Sequence, residues 1–299
     1  MVAFLFLVLP EAFSPHMLAR KPVSTAGVQK LKMQSSAKSE LLSAIAAYND
    51  ATAEDGVPSV DFGVKGGELD EESRAPRDLL GAGAFAAVSE RVGVAADRVV
   101  AAVEEIAKVN PTPNPTAGLG DKDGATRCAL HGRWYNSFTT AADATFSPDS
   151  KRGDALVSNV VDATEGRTVN EIEFLGQDNP AFRATRWAPK PPPLARLNVV
   201  LSAIPVSSTR VSLIFRRVRA VLNVKCFGAL RQLTLVLPVP GPFITRILFF
   251  FRPAKKPPPA YFEVLYLDGD LRVHRTAQGN LFVQQREPAK RADGGRRAL

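Results

Sequence analysis

The side chains best suited to chemistry sit near the carboxyl end of the chain: Asp268, Asp270 and His274. Carboxylates beside an imidazole are common material for general acid–base catalysis, which needs them within hydrogen-bond reach of one another. Asp270 and His274 are an even step apart, so on a regular strand both would face one side. That step covers ~13 Å of strand, too far for a proton to pass directly. The cluster therefore reads as turn and strand chemistry, and no catalytic residue is assigned. A nucleophile elbow, a phosphate-cradling loop and a dinucleotide fingerprint are all missing, and Gly81-Ala82-Gly83 lacks both a preceding strand and a third glycine. The 2 cysteines, Cys128 and Cys226, match no zinc spacing and no disulfide framework, and the 3 histidines (His16, His131, His274) are scattered. Neither a metal nor a cofactor is expected.

The segments carrying these residues alternate with period two. Leu197, Val199 and Leu201 alternate with Asn198 and Ser202; Val211, Leu213 and Phe215 with Arg210, Ser212 and Arg216; Val218, Ala220, Leu222 and Val224 with Arg217, Arg219, Asn223 and Lys225. One apolar face at this period marks half-buried antiparallel strands. About eight to ten such segments follow Arg133, separated by Pro and Gly breaks such as Asp178-Asn179-Pro180 and Pro238–Pro242, which predicts a barrel or sandwich. Asp268-Gly269 and Gln278-Gly279-Asn280 read as hairpin turns, with Asp tolerating a left-handed backbone and Gly needing no side-chain room. Leu230–Pro238 and Phe243–Phe251 are apolar on both faces, so they are either covered on both sides, most simply by the N-terminal helices, or in contact with lipid.

Before the strands the period changes. Leu41, Leu42, Ile45 and Ala46 recur at helical spacing within Lys38–Asn49, and Val99, Val100, Val103, Ile106 and Ala107 form a stripe within Leu79–Val109, with a weak point at Val92-Gly93-Val94. The acidic, Gly-bearing stretch between them reads as a loop. Prolines Pro111, Pro113 and Pro115 end the second helix and impose an extended linker. The organisation expected is a leader over 1–37, a helical region with an acidic loop insertion over 38–109, a Pro-rich linker over 110–127, a β domain over 128–287 and a basic tail over 288–299.

A chain of 299 residues with 45% hydrophobic and 23% charged content can bury a full-sized core. The formal charge of +8 favours anionic partners. Its basic groups are dispersed, at Arg216, Arg217 and Arg219, at Lys255 and Lys256, and in the tail, with few aromatics interleaved as a nucleic-acid platform would need. No nucleic-acid partner is expected; anionic lipid heads suit the charge better. No apolar run reaches the ~18 residues of a spanning helix, so membrane contact would be peripheral.

Asn110–Pro115, Gly132-Arg133-Trp134 followed by Ser137-Phe138-Thr139, and Tyr266-Leu267-Asp268 through Leu271-Arg272-Val273 to Gly279-Asn280-Leu281-Phe282-Val283 together resemble the plastid lipid-associated protein, or fibrillin, family. The resemblance covers most of Lys38–Arg286. It implies a mainly β fold with N-terminal helices, a lipocalin-like antiparallel β-barrel, and a non-enzymatic role on plastid lipids at thylakoids or plastoglobules. In such barrels a Gly-x-Trp opens the first strand and an Arg from near the carboxyl end lies across the indole, a cation–π contact. Gly132, Trp134, Asp268, Gly279 and either Arg272 or Arg275 would be the structural set. The interior, either filled or holding one small lipophile, would be lined by Trp134, Phe138, Phe174, Phe215, Phe227, Tyr266 and Phe282. The alternative functions are an enzyme acting on an isoprenoid or pigment inside the barrel, and a basic nucleic-acid binder. The apolar start of the chain, the following Ala12-Phe13-Ser14-Pro15, and the acid-free, hydroxylated, basic stretch to Ser39 resemble a two-part plastid leader.

Overall fold

The computed structural model describes residues 25–55, 89–141, 155–175, 194–226, 229–238 and 260–286. The expected start of the leader, the acidic loop, Phe227, Phe243–Phe251, the Lys255-Lys256 pair and the basic tail lie outside the described residues.

Two helices precede the strands. Helix α1 (Thr25–Glu54) runs well beyond the periodic stretch Lys38–Asn49 in both directions. Past Gly27 it meets neither Gly nor Pro, so nothing local stops it. Helix α2 (Glu90–Ala107) opens at Ser89, whose hydroxyl accepts the Val92 N–H at 3.2 Å. It passes unbroken through Val92-Gly93-Val94, because Val92 and Gly93 are buried in the packing face. A four-residue turn of helix, α3 (Gly124–Arg127), follows the linker.

Among the described residues nine strands make one antiparallel sheet: β1 (Gly132–Thr139), β2 (Ala155–Asp162), β3 (Arg167–Phe174), β4 (Leu194–Pro205), β5 (Arg210–Cys226), β6 (Ala229–Pro238), β7 (Tyr261–Leu267), β8 (Leu271–Thr276) and β9 (Leu281–Gln285). Their order is β4-β3-β2-β1-β9-β8-β7-β5-β6, and β4 also pairs with β5. That last pairing returns the ladder to its start, giving a ring of eight strands with β6 as an extra strand on the far half of β5. The fold is thus mainly β with N-terminal helices, a lipocalin-like antiparallel ring.

β5 joins two runs whose alternation is out of phase. Phe215 pairs with Leu201 and Arg217 with the adjacent Val200, so Arg216 is an extra residue in the ladder. The bulge resets the parity and keeps both apolar sets on one face. Bulges at Ser137 in β1 and Leu265 in β7 act the other way: Phe138 pairs with Val283 and Tyr266 with Val273, both on the outer side of the ring.

There are two cores. On the outer side, Leu41, Ile45, Val99, Val103 and Ile106 of the helices pack on Phe138, Tyr266, Leu271, Val273, Leu281 and Val283. Tyr48 meets Phe138 edge-on at 5.4 Å. Inside the ring, Leu130, Trp134, Val161, Ala203, Val211, Phe262, Val264 and Leu267 form the second core, closed at one end by Leu119 and Cys128. Cys128 is a free buried thiol. The helices therefore cover β1, β9, β8 and β7 and not β6, contrary to the simplest expectation for Leu230–Pro238. Leu233, Leu235, Val236 and Leu237 of β6 are exposed.

Leu41 is fully buried beneath α2 and the sheet. Leu41→Ala should lower the unfolding free energy by about 2–5 kcal/mol, read from urea denaturation. A loss below 0.5 kcal/mol would mean that α1 does not dock in solution.

Candidate functional site

The closed end of the ring is built around Trp134. Its indole N–H donates to the Leu130 carbonyl at 2.8 Å, which fixes the ring plane. Arg286 lies over the indole with its guanidinium carbon 3.7 Å from the ring centre, and Arg272 lies at 5.2 Å. Such contacts favour an indole above other aromatic rings. Arg286 is held by the carbonyls of His131 at 2.6 Å, Ala129 at 3.2 Å and Gly269 at 3.3 Å. Gly132 has φ +113°, and a side chain there would run into the Arg286 guanidinium. The Gly-x-Trp spacing thus leaves room for the cation as well as opening the strand. Arg275, the other cation expected at the indole, instead pairs with Glu104 of α2 on the outer face, because its odd step from Arg272 turns it outward. Arg286 escaped the sequence reading because it follows the last alternating residue.

Deeper in the ring is a polar chain of neutral groups around one charge. Arg272 is 1% exposed. Its Nε donates to Gln284 Oε1 at 2.8 Å and its Nη2 to Asn159 Oδ1 at 2.6 Å, while Nη1 has no partner. Asn159 Nδ2 donates to Thr168 Oγ1 and to Asn170 Oδ1, each at 2.7 Å. Gln284 Nε2 donates to Asn136 Oδ1 at 3.0 Å, and Asn136 Nδ2 has no partner. No carboxylate pairs with Arg272 among the described residues. Burial, then the charge of Arg286, pull its pKa down to about 9, so it remains a cation at neutral pH. A buried ion without a counter-charge costs several kcal/mol even after relaxation.

His274 stands beside this chain, stacked on Phe282 at 5.1 Å and tilted against Phe262 at 5.0 Å. Burial, then the Arg272 charge, push its pKa well below 6.5, so the imidazole is neutral at pH 7. It does not meet the acidic pair. Asp270 projects into solvent at the β7–β8 turn, with 83% of its side chain exposed. Asp268 accepts the N–H groups of Asp270 at 2.8 Å and Leu271 at 2.7 Å, the Tyr266 hydroxyl at 2.7 Å and the Lys38 ammonium at 2.8 Å. Burial would raise its pKa, but Lys38, Tyr266 and the two amides together hold it below the usual carboxylate value. The turn therefore also anchors α1. The Asp268-Gly269 turn is closed by the Asp268 N–H to the Leu271 carbonyl at 3.0 Å, and Gly279 has φ 92°.

Of the proposed lining residues, Trp134 and Phe282 face the interior. Phe174 and Phe215 fall on inward register positions and are half-buried. Phe138 and Tyr266 face the helices, a correction that the bulges at Ser137 and Leu265 explain. Among the described residues no group of His, Cys, Asp and Glu could hold a metal, and no helix is long and apolar enough to cross a membrane. The second candidate surface is β6, where Leu233, Leu235 and Leu237 alternate on one face at 48%, 42% and 60% exposure. Arg216, Arg219 and Arg231 are exposed on the same pair of strands.

The family model described as PAP_fibrillin matches residues 83–285, from just before α2 to the end of β9. A search of curated proteins found no match.

Two outcomes follow for stability. Gly132→Ala should cost about 1–3 kcal/mol, because the left-handed backbone and the Arg286 contact are strained together; a variant as stable as the parent in urea would remove Gly132 from the structural set. His274 has a folded pKa below its unfolded value of 6.5. Above that pH its titration adds no pH dependence to stability. Below about pH 6.5 the unfolded chain takes up a proton that the folded chain does not, so stability should fall by up to about 1.4 kcal/mol per pH unit. His274→Gln should flatten the stability profile between pH 6.5 and 5; an unchanged slope would place the titrating group elsewhere.

Proposed function

We propose a function from the premise that the chain belongs to the PAP_fibrillin family, the plastid lipid-associated proteins, whose members are structural proteins of the plastid. The finer reading is a non-enzymatic protein held peripherally on thylakoid or plastoglobule lipid. The observation that carries it is β6. Among the described residues β6 ends the sheet, and its exposed Leu233, Leu235 and Leu237 form an apolar surface of the kind that globular proteins reserve for a partner or a lipid phase. Exposed Arg231 shares the face of Leu233, Leu235 and Leu237, and Arg216 and Arg219 are exposed on the adjacent β5; a basic residue near an anionic surface supplies attraction of about 1 kcal/mol. Apolar insertion and basic attraction act together in peripheral lipid binding. The second element of the role is carriage of one small lipophile in the ring, supported by the inward aromatic walls of Trp134, Phe262 and Phe282. An enzymatic role finds less support, since Asp268 and His274 serve separate parts of the molecule.

The test is flotation of the full chain with galactolipid vesicles containing an anionic lipid, at low and high salt. The wild-type protein should float, less so at high salt. Leu233→Ser, Leu235→Ser and Leu237→Ser combined should abolish flotation, with each substitution changing stability by no more than about 0.5 kcal/mol because the side chains are exposed. Undiminished flotation of the triple variant would exclude β6 as the lipid-facing surface.

A further inference from the structure

The interior of the ring holds a charge that no carboxylate among the described residues answers. Every hydrogen-bond partner of Arg272 is a neutral amide, its Nη1 is buried without a partner, and Asn136 Nδ2, reached through Gln284, is also buried without one. Both groups are donors, and the Arg272 guanidinium lies against the rings of Trp134 and Phe262. Its Nε and Nη2 are already engaged, which leaves the Nη1 N–H groups to meet a carboxylate oxygen. A single negative charge would neutralise Arg272, whereas a dianion would leave a second charge buried and unpaired.

The rest of the interior suits an apolar body. The register carries the inward face from Asn159 to Asn170, Val199 and Val218, and from Val157 to Ile172 and Leu197. Towards the Trp134 end the inward residues Val161, Ala203 and Val211 are buried. Ile172, Leu197, Val199 and Val218 are only half-buried, so the apolar lining is partly uncovered away from the charge. Ligand sites commonly combine such apolar walls with a few polar groups that orient the guest.

We propose that the ring binds one amphiphile bearing a single carboxylate, with its head on Arg272 Nη1 and its chain along Ile172, Leu197, Val199 and Val218. This rests on the reading of the ring as a lipophile carrier and adds the head-group chemistry.

The test uses the delipidated full chain, titrated calorimetrically with oleate and separately with oleyl alcohol, which has the same chain and no charge. One oleate should bind per protein, at least tenfold more tightly than the alcohol. Arg272→Met, close in volume and uncharged, should bring the two affinities together. Equal affinities for the wild-type protein would overturn the carboxylate assignment while leaving the carrier reading intact. Binding of neither ligand would overturn both, whereas vesicle flotation would still report separately on the lipid-surface role. Retention of the full oleate preference in Arg272→Met would also overturn the assignment.

Discussion

The pairing of β4 with β5 is the constraint on which the rest of the molecule depends. Without it the strands would form an open sheet with two unpaired edges and no enclosed interior. With it, the alternation of side chains becomes a division between inside and outside. β8 shows the division within consecutive residues. Leu271 and Val273 enter the core beneath the helices, while Arg272 and His274 point into the ring. One short strand therefore holds the helical layer on one side and a charged, aromatic interior on the other. The closure does not protect everything, since β5 outgrows its partner β7 and β6 pairs with the surplus length. The lipid-facing surface proposed for this protein is thus a consequence of one strand being longer than the ring requires.

The linker matters to the same arrangement. Asn110 accepts the Leu267 N–H at 3.0 Å and Thr112 donates to the Leu267 carbonyl at 2.6 Å, so the Pro-rich segment is tied to the end of β7. Lys38 reaches Asp268 one residue further on. Both ends of the helical region converge on the β7–β8 turn. Helix α1 precedes the matched family span, yet its Leu41 and Ile45 belong to the same core as α2.

Much of the architecture was legible because period two is a direct signature of strands with one buried face. The strands β4 and β5 and the Pro-stopped helix were readable from pattern, whereas the Arg272 contact with Trp134 came from the family resemblance and the closer Arg286 was missed. What failed did so for local reasons. Phe138 and Tyr266 are aromatic and four residues beyond the inward Trp134 and Phe262, so unbroken alternation would place them inside; single inserted residues at Ser137 and Leu265 reverse them. A bulge leaves no compositional mark, so parity cannot be carried across one from sequence alone. The cover expected over β6 could not be tested by periodicity, which says that a strand is greasy and not what lies against it. The polar interior was missed because Asn136, Asn159 and Gln284 look like ordinary solvent-facing residues of alternating strands until the ring closes around them.

The buried charge of Arg272 then needs its own explanation. Closing the indole is not sufficient, because Arg286 already lies over Trp134 at 3.7 Å and is anchored by backbone carbonyls. Packing is not sufficient either, since an apolar side chain of similar volume would fill the space without the cost of dehydrating an ion. Nor does the amide chain require a cation: Asn136, Gln284, Asn159 and Asn170 carry both donors and acceptors, and a neutral donor would satisfy the same oxygens. What a guanidinium alone supplies is a permanent charge with a donor left over, aimed into an interior that has no carboxylate of its own among the described residues. On the proposed reading, a bound carboxylate offsets the cost of dehydrating Arg272, and the same cost makes the site select a charged head over a neutral one.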